Sequence, residues 1–177
     1  MNPFETLGVE PRFDLDRKAL EQRHRDLSGA LHPDRYAGRP AAERRMALDK
    51  AIGVNEAFRL LRDPVRRAEA LLSTHDVSVG ETAEPKASPE LLMEMMEIRE
   101  ELSEAKAKKD LDAVGALGDR MRSREKAVTA KLASGFEAAG DDTNELEELL
   151  PTLGELRYIR RFFEELDAIE EQLSEEL

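Results

Sequence analysis

His32-Pro33-Asp34 sets an imidazole and a carboxylate on either side of a stiff proline. Such a pair invites an acid–base reading. A hydrolytic dyad would also need a nucleophile, and the chain has no cysteine and no G-x-S-x-G motif. A metal site fares no better, because His24, His32 and His75 are far apart and no HExxH pattern occurs. The residues alone therefore point to no enzyme and no metal. Their plainest reading is local: Pro33 drives His32 out of the helical region and ends a helix, and Asp34 caps the next turn.

Composition narrows the classes further. The 177 residues suffice for one ordinary domain or two small ones. No run of 18 apolar residues suggests a membrane span. Met1-Asn2-Pro3-Phe4-Glu5 has neither the basic start nor the apolar core of a leader, so no targeting segment is expected. Without cysteine there can be no disulfide, Cys-type zinc site or Cys-ligated iron–sulfur cluster. No cofactor is expected, and a cytoplasmic location fits. The net charge of −12 is uneven. Residues 1–75 carry 14 Lys/Arg against 12 Asp/Glu, or +2, whereas residues 76–177 carry 13 against 27, or −14. This asymmetry argues for two units with different partners. The acidity speaks against nucleic acid as a partner, since phosphate binding needs clustered Lys and Arg.

The elements that must position these residues are helical. Phe4-Glu5-Thr6-Leu7-Gly8 reads as a short helical turn or extended entry closed by Gly8. Asp14 or Asp16 can cap a helix running to about Leu31, with Leu20, Leu27 and Leu31 on one face. A loop follows from His32 to Pro40. A long helix covers about Ala41 to Arg62, with Ala51, Ile52, Asn55, Phe58 and Leu61 expected on or near one face. Asp63-Pro64 starts a shorter helix to about Ser73. Residues 76–88 hold Gly, Pro and Ser without helical periodicity and read as a linker. Ser88-Pro89 opens a helix to about Lys109. A second spans about Leu111 to Ala139, and a last one extends toward Leu173 through Leu156, Ile159, Phe163 and Leu166. Pro151 and Gly154 imply either a kink in that last helix or a separate helical turn over 144–150. The expected fold is all-α: a helical hairpin over 1–75, the linker over 76–88, and a three-helix bundle over 89–177.

At 100° per residue, Leu91, Met95, Ile98 and Leu102 fall within about 60° of each other and form a bundle seam. Leu92, Met93 and Met96 lie outside it, centred roughly 140° away. One stripe suffices for a three-helix bundle. The second, beside Glu97 and Glu100, suits either an adaptable partner surface or a broad core stripe that packs on the first unit.

The arrangement around His32-Pro33-Asp34 resembles a J-domain. Upstream lies the basic run Arg23-His24-Arg25. Downstream come Val54-Asn55-Glu56-Ala57-Phe58-Arg59-Leu60-Leu61 and Asp63-Pro64-Val65-Arg66-Arg67-Ala68. The resemblance implies that His32, Pro33 and Asp34 sit in an exposed loop and, with Arg23, His24 and Arg25, dock onto a DnaK-type chaperone and stimulate its ATP hydrolysis. Arg66 and Arg67 are either the positive residues that J-domains place in the fourth helix or a solvated helix end. Asp26 and Glu21 thin the basic face, which suggests a dedicated ATPase partner.

Further stretches narrow the resemblance. Phe4 to Asp16, Arg67-Ala68-Glu69-Ala70-Leu71-Leu72, Leu91 to Leu102 and Leu156-Arg157-Tyr158-Ile159 resemble, in order along nearly the whole chain, the HscB branch of J-type co-chaperones of iron–sulfur cluster assembly. That resemblance implies an HscA-type ATPase partner. It also implies an IscU-like scaffold held by Leu92, Met93, Met96, Glu97 and Glu100, with Tyr158 from the last helix. The alternatives are a non-catalytic helical interaction scaffold with a degenerate J-like part, or a general J-protein for another client. The general type would be expected to carry a Gly/Phe-rich stretch or zinc-bound cysteines.

Overall fold

The computed structural model describes residues 2–79 and 88–175. They form eight α-helices and one 3₁₀ turn, with no strand among the described residues. The all-α expectation holds. The chain divides into two compact units, Met1–Val79 and Gly80–Leu177.

The first unit opens with α1, Pro3–Leu7. Asn2 Oδ1 accepts from the Phe4 N–H at 3.0 Å, and Gly8 closes the helix with φ +63°. The N–H groups of Gly8 and Val9 then reach back to the Glu5 and Phe4 carbonyls, which satisfies two otherwise orphaned acceptors. Helix α2, Arg17–Ala30, is capped by Asp16, whose carboxylate accepts from the N–H groups of Lys18 and Ala19. The 3₁₀ turn Pro33–Tyr36 leads to α3, Ala41–Arg62. Asp63 caps α4, Pro64–Thr74, and Pro64 takes the first position, where no N–H is needed.

The core of this unit gathers Phe4, Leu7, Phe13, Leu20, Val54, Ala57, Leu61, Ala68, Leu71 and Leu72. Each large apolar side chain buried there contributes roughly 1.5–3 kcal/mol. The inward stripe of α3 is Ala47, Gly53, Val54, Ala57 and Leu61. This corrects the expected face: Ile52 and Asn55 are exposed, and Ala51 and Phe58 are only half-buried. The stripe consists mostly of small residues, so α1 and α2 can approach α3 closely. The larger side chains beside it are left outside.

The expected linker also begins later than residue 76. Val77 is 3% exposed, and its N–H donates to the Leu72 carbonyl at 3.1 Å. Asp76 makes the turn with φ +59°, and residues 76–79 belong to the first unit. Most of the expected linker, residues 80–87, lies outside the described residues.

The second unit is a bundle of three long helices with one short one. Helix α5, Pro89–Ala107, starts at the Ser88 cap. Helix α6 covers Leu111–Ala139, α7 Thr143–Glu147 and α8 Leu150–Glu175. Pro151 therefore sits in the first turn of α8 and kinks nothing, and the separate turn is α7. Met95, Ile98 and Leu102 of α5 face Val114, Leu117, Met121, Val128, Leu132 and Phe136 of α6, together with Leu153, Leu156, Ile159, Phe162, Leu166, Ile169 and Leu173 of α8. Phe162 takes the inner position expected for Phe163. Phe163 is half-buried and meets Phe162 edge-on at 6.3 Å.

Candidate functional site

Two surfaces carry the residues singled out above. The first is the tip of the α2–α3 hairpin. His32 leaves the helix with ψ 135° and caps the 3₁₀ turn. Its Nδ1 lies 3.4 Å from the Asp34 N–H and 3.5 Å from Asp34 Oδ2. These two contacts compete for one ring atom: an unprotonated Nδ1 accepts from the backbone, and a protonated one donates to the carboxylate. The His32 carbonyl accepts from the Arg35 N–H at 3.0 Å. The turn is thus held from within while its side chains face water, Asp34 being 91% exposed. Nothing there excludes solvent or brings in a third reacting group.

The basic residues of α2 have separate roles. Arg23 Nε donates to the Leu7 carbonyl at 2.8 Å, and its guanidinium lies against Gly8, so this side chain clamps α2 to the end of α1. His24 stacks on Phe58 of α3, with ring centroids 4.1 Å apart and planes 14° from parallel. Its Nε2 donates to Asn55 Oδ1 at 2.8 Å. Arg25 is exposed and makes a local bond to Gln22 Oε1 at 2.7 Å. Arg23 and Arg25 are both exposed, and His24 is half-buried. Sequence reasoning passed over Arg35 and Arg39, exposed cations within and just after the turn. Their signal was adjacency to Asp34.

Arg66 and Arg67 also part ways. Arg66 is exposed and pairs with Glu69 at 3.2 Å. Arg67 is a packing residue: its guanidinium lies 5.0 Å from the Phe13 ring centroid, and Nη1 donates to the Leu61 carbonyl at 3.2 Å. Burial lowers its pKa, opposed by the charges of Asp14 and Asp63.

The second surface lies on α5. Leu92, Met93, Met96, Glu97 and Glu100 are all exposed, while Met95, Ile98 and Leu102 are buried. The helix therefore presents its second apolar stripe to solvent. Tyr158 stands on α8, half-buried, with the Arg161 guanidinium 4.7 Å from its ring centroid. Two cross-links fix these helices to each other. Arg124 of α6 donates from Nε to Glu155 of α8 at 2.8 Å and from Nη1 to Glu94 of α5. Arg99 of α5 meets Glu165 of α8 at 3.3 Å. Both links climb in the same sense, so α5 and α8 run parallel, and Met96 and Tyr158 each lie between them along the chain. Burial acts to lower the pKa of Arg124, but the hydrogen bonds and charges of Glu94 and Glu155 outweigh it and raise it above the ordinary arginine value.

Among the described residues, no group of His, Asp and Glu could hold a metal ion. No helix there is long and apolar enough to cross a membrane.

The acidic bundle and the hairpin have recognisable relatives. The family described as the HSCB C-terminal oligomerisation domain matches residues 87–167. The co-chaperone protein HscB homologue of Azoarcus sp. is 38% identical over 164 residues, covering 93% of this chain and 90% of that protein. The chain belongs to the HscB family. Among solved structures, chaperone HscB from Vibrio cholerae matches with a TM-score of 0.83 and 31% identity, covering 98% of this chain and 99% of that one. Human co-chaperone protein HscB matches with a TM-score of 0.83 and 25% identity, covering 95% and 81%. Like its HscB relatives, the chain is a co-chaperone whose hairpin and bundle are the parts of one family fold.

Proposed function

We propose that this HscB-family chain is a non-enzymatic, cytoplasmic adaptor in iron–sulfur cluster biogenesis. The bundle captures an IscU-like scaffold protein through Leu92, Met93, Met96, Glu97, Glu100 and Tyr158. The hairpin brings that complex to a DnaK/HscA-type ATPase and stimulates ATP hydrolysis through His32, Pro33, Asp34 and Arg25. Arg23 and His24 serve this surface by holding α2 in place.

The observation that carries the proposal is the state of the signature turn: His32, Pro33 and Asp34 are solvent-facing yet locked in a capped 3₁₀ turn, at the tip of a hairpin in a co-chaperone family. Such a turn loses little freedom on docking. The exposed cations around it suit an acidic patch, steering encounter and orientation more than adding affinity. The exposed Leu and Met of α5 supply adaptable apolar contact on the other unit.

Single-turnover ATP hydrolysis by the ATPase partner tests the reading, measured with and without scaffold. Stimulation should require His32 and rise further with scaffold. His32→Gln should abolish stimulation and leave scaffold capture intact. Leu92→Ala with Met96→Ala should do the reverse. Equal loss of both activities in either variant would overturn the division of labour.

A further inference from the structure

All sulfur in this chain is methionine sulfur, since cysteine is absent. Its distribution is sharply divided in the second unit. Met95 is 7% exposed and Met121 is fully buried, whereas Met93 is 63% and Met96 70% exposed. The two open thioethers are three residues apart on α5, flank the buried Met95, and lie on the face assigned above to the scaffold.

We propose that Met93 and Met96 form an oxidation-sensitive modification site that switches scaffold capture off, and this rests on the reading that the α5 face holds the scaffold. The oxidant is a peroxide. A sulfur lone pair attacks one peroxide oxygen, the O–O bond breaks and an S–O bond forms. The thioether loses two electrons to become a sulfoxide, and hydrogen peroxide is reduced to water. Sulfoxide reductases reverse the change, one enzyme for each sulfur epimer.

The consequence follows from the chemistry of the face. A thioether is a weak acceptor that packs as a flexible apolar group. A sulfoxide is polar and must be stripped of water to enter an apolar contact, which is unfavourable unless a donor meets it. Glu97 and Glu100, beside it on α5, offer only acceptors when ionised. Met95 and Met121 are shielded by the bundle core, so the fold survives doses that modify the surface pair.

The test uses the full chain treated with hydrogen peroxide, peptide mass spectrometry to locate added oxygen, and binding of the IscU-like scaffold. Met93 and Met96 should be oxidised at doses that spare Met95 and Met121. The dissociation constant should then rise about tenfold, the effect of losing one strong interface contact. Reductase treatment should restore it. A Met93→Leu/Met96→Leu variant, which carries no thioether on this face, should show the same dissociation constant before and after peroxide, whatever its starting affinity. Unchanged binding by the doubly oxidised chain would overturn the switch. So would equal oxidation of the buried methionines, or equal loss of binding by the leucine variant. Leu92→Ala with Met96→Ala, unoxidised, separates the two ideas. If it binds normally, the scaffold face itself is wrong; if it fails to bind while oxidation has no effect, only the switch is wrong.

Discussion

His24 lies flat against Phe58, with ring centroids 4.1 Å apart, and its Nε2 donates to Asn55 on the same side of α3. The imidazole is therefore a strut between the two helices of the hairpin. His24→Ala should lower the stability of the first unit by about 1–2 kcal/mol, from the lost stack and hydrogen bond. Its thermal midpoint should fall by roughly 5–10 °C. Below that transition, maximal ATPase stimulation should persist. Arg25→Ala should show the opposite pattern: a stability within about 0.5 kcal/mol of the parent, with the concentration for half-maximal stimulation raised. Calorimetry and a stimulation titration on both variants check this. A His24→Ala chain that keeps its stability but loses stimulation would restore His24 to the docking set.

Gly8 anchors the other side of α2. Its φ of +63° lies in the left-handed region, and an added Cβ would meet Arg23 Nη2 at 2.8 Å. Gly8→Ala must therefore adopt an unfavourable backbone and displace the guanidinium that donates to the Leu7 carbonyl. The expected cost is about 1–3 kcal/mol, read as a lower urea midpoint. Gly8→Asn should cost less, because asparagine tolerates this region, although it too must move Arg23. If alanine and asparagine cost the same, contact with Arg23 dominates over backbone strain.

These two positions show where the sequence was readable and where it was not. Helix starts were legible because they rest on local chemistry: Asp16, Asp63 and Ser88 each accept from backbone N–H groups two or three residues on. The second apolar stripe of α5 was legible because helical periodicity fixes angles. The inner face of α3 was not, since a stripe of alanine and glycine is hidden by larger residues that the fold leaves exposed. Nor were the contacts that Arg23 and His24 make within the chain, whose partners lie 16 and 31 residues away. A basic side chain looks the same in sequence whether it meets a partner protein or a carbonyl of its own chain.

Arg124 of α6 joins α5 and α8 through Glu94 and Glu155. Its raised pKa keeps it charged: the stabilisation is present below its ordinary value and would be lost only as pH climbs through the raised one. Arg124→Met should destabilise the bundle by about 1–2 kcal/mol, a buried-pair cost reduced because Glu94 is half exposed. Arg124→Lys should recover part of this, since an ammonium lacks the planar fork that reaches two carboxylates. Urea denaturation of the full chain, with a double-mutant cycle against Glu155→Gln, measures the coupling. A coupling near zero would show that bundle geometry is set by the apolar seam alone.

The two surfaces should also respond differently to salt. Arg35 lies within the signature turn and Arg25 on the preceding helix, both exposed, and the Debye length shrinks from about 10 Å at 0.1 M to about 3 Å at 1 M. Steering between exposed charges is screened over that range. The concentration for half-maximal ATPase stimulation should accordingly rise by roughly tenfold between low and high salt. The proposed scaffold capture through Leu92, Met93 and Met96 would bury apolar surface, which simple salt does not screen. Its affinity should change by less than about threefold, the remainder coming from Glu97 and Glu100. Titrations of both activities across one salt series decide the matter, with His32→Gln as the blank for stimulation. Parallel salt slopes would mean that the α5 face binds through its glutamates and that its exposed leucine and methionines are bystanders.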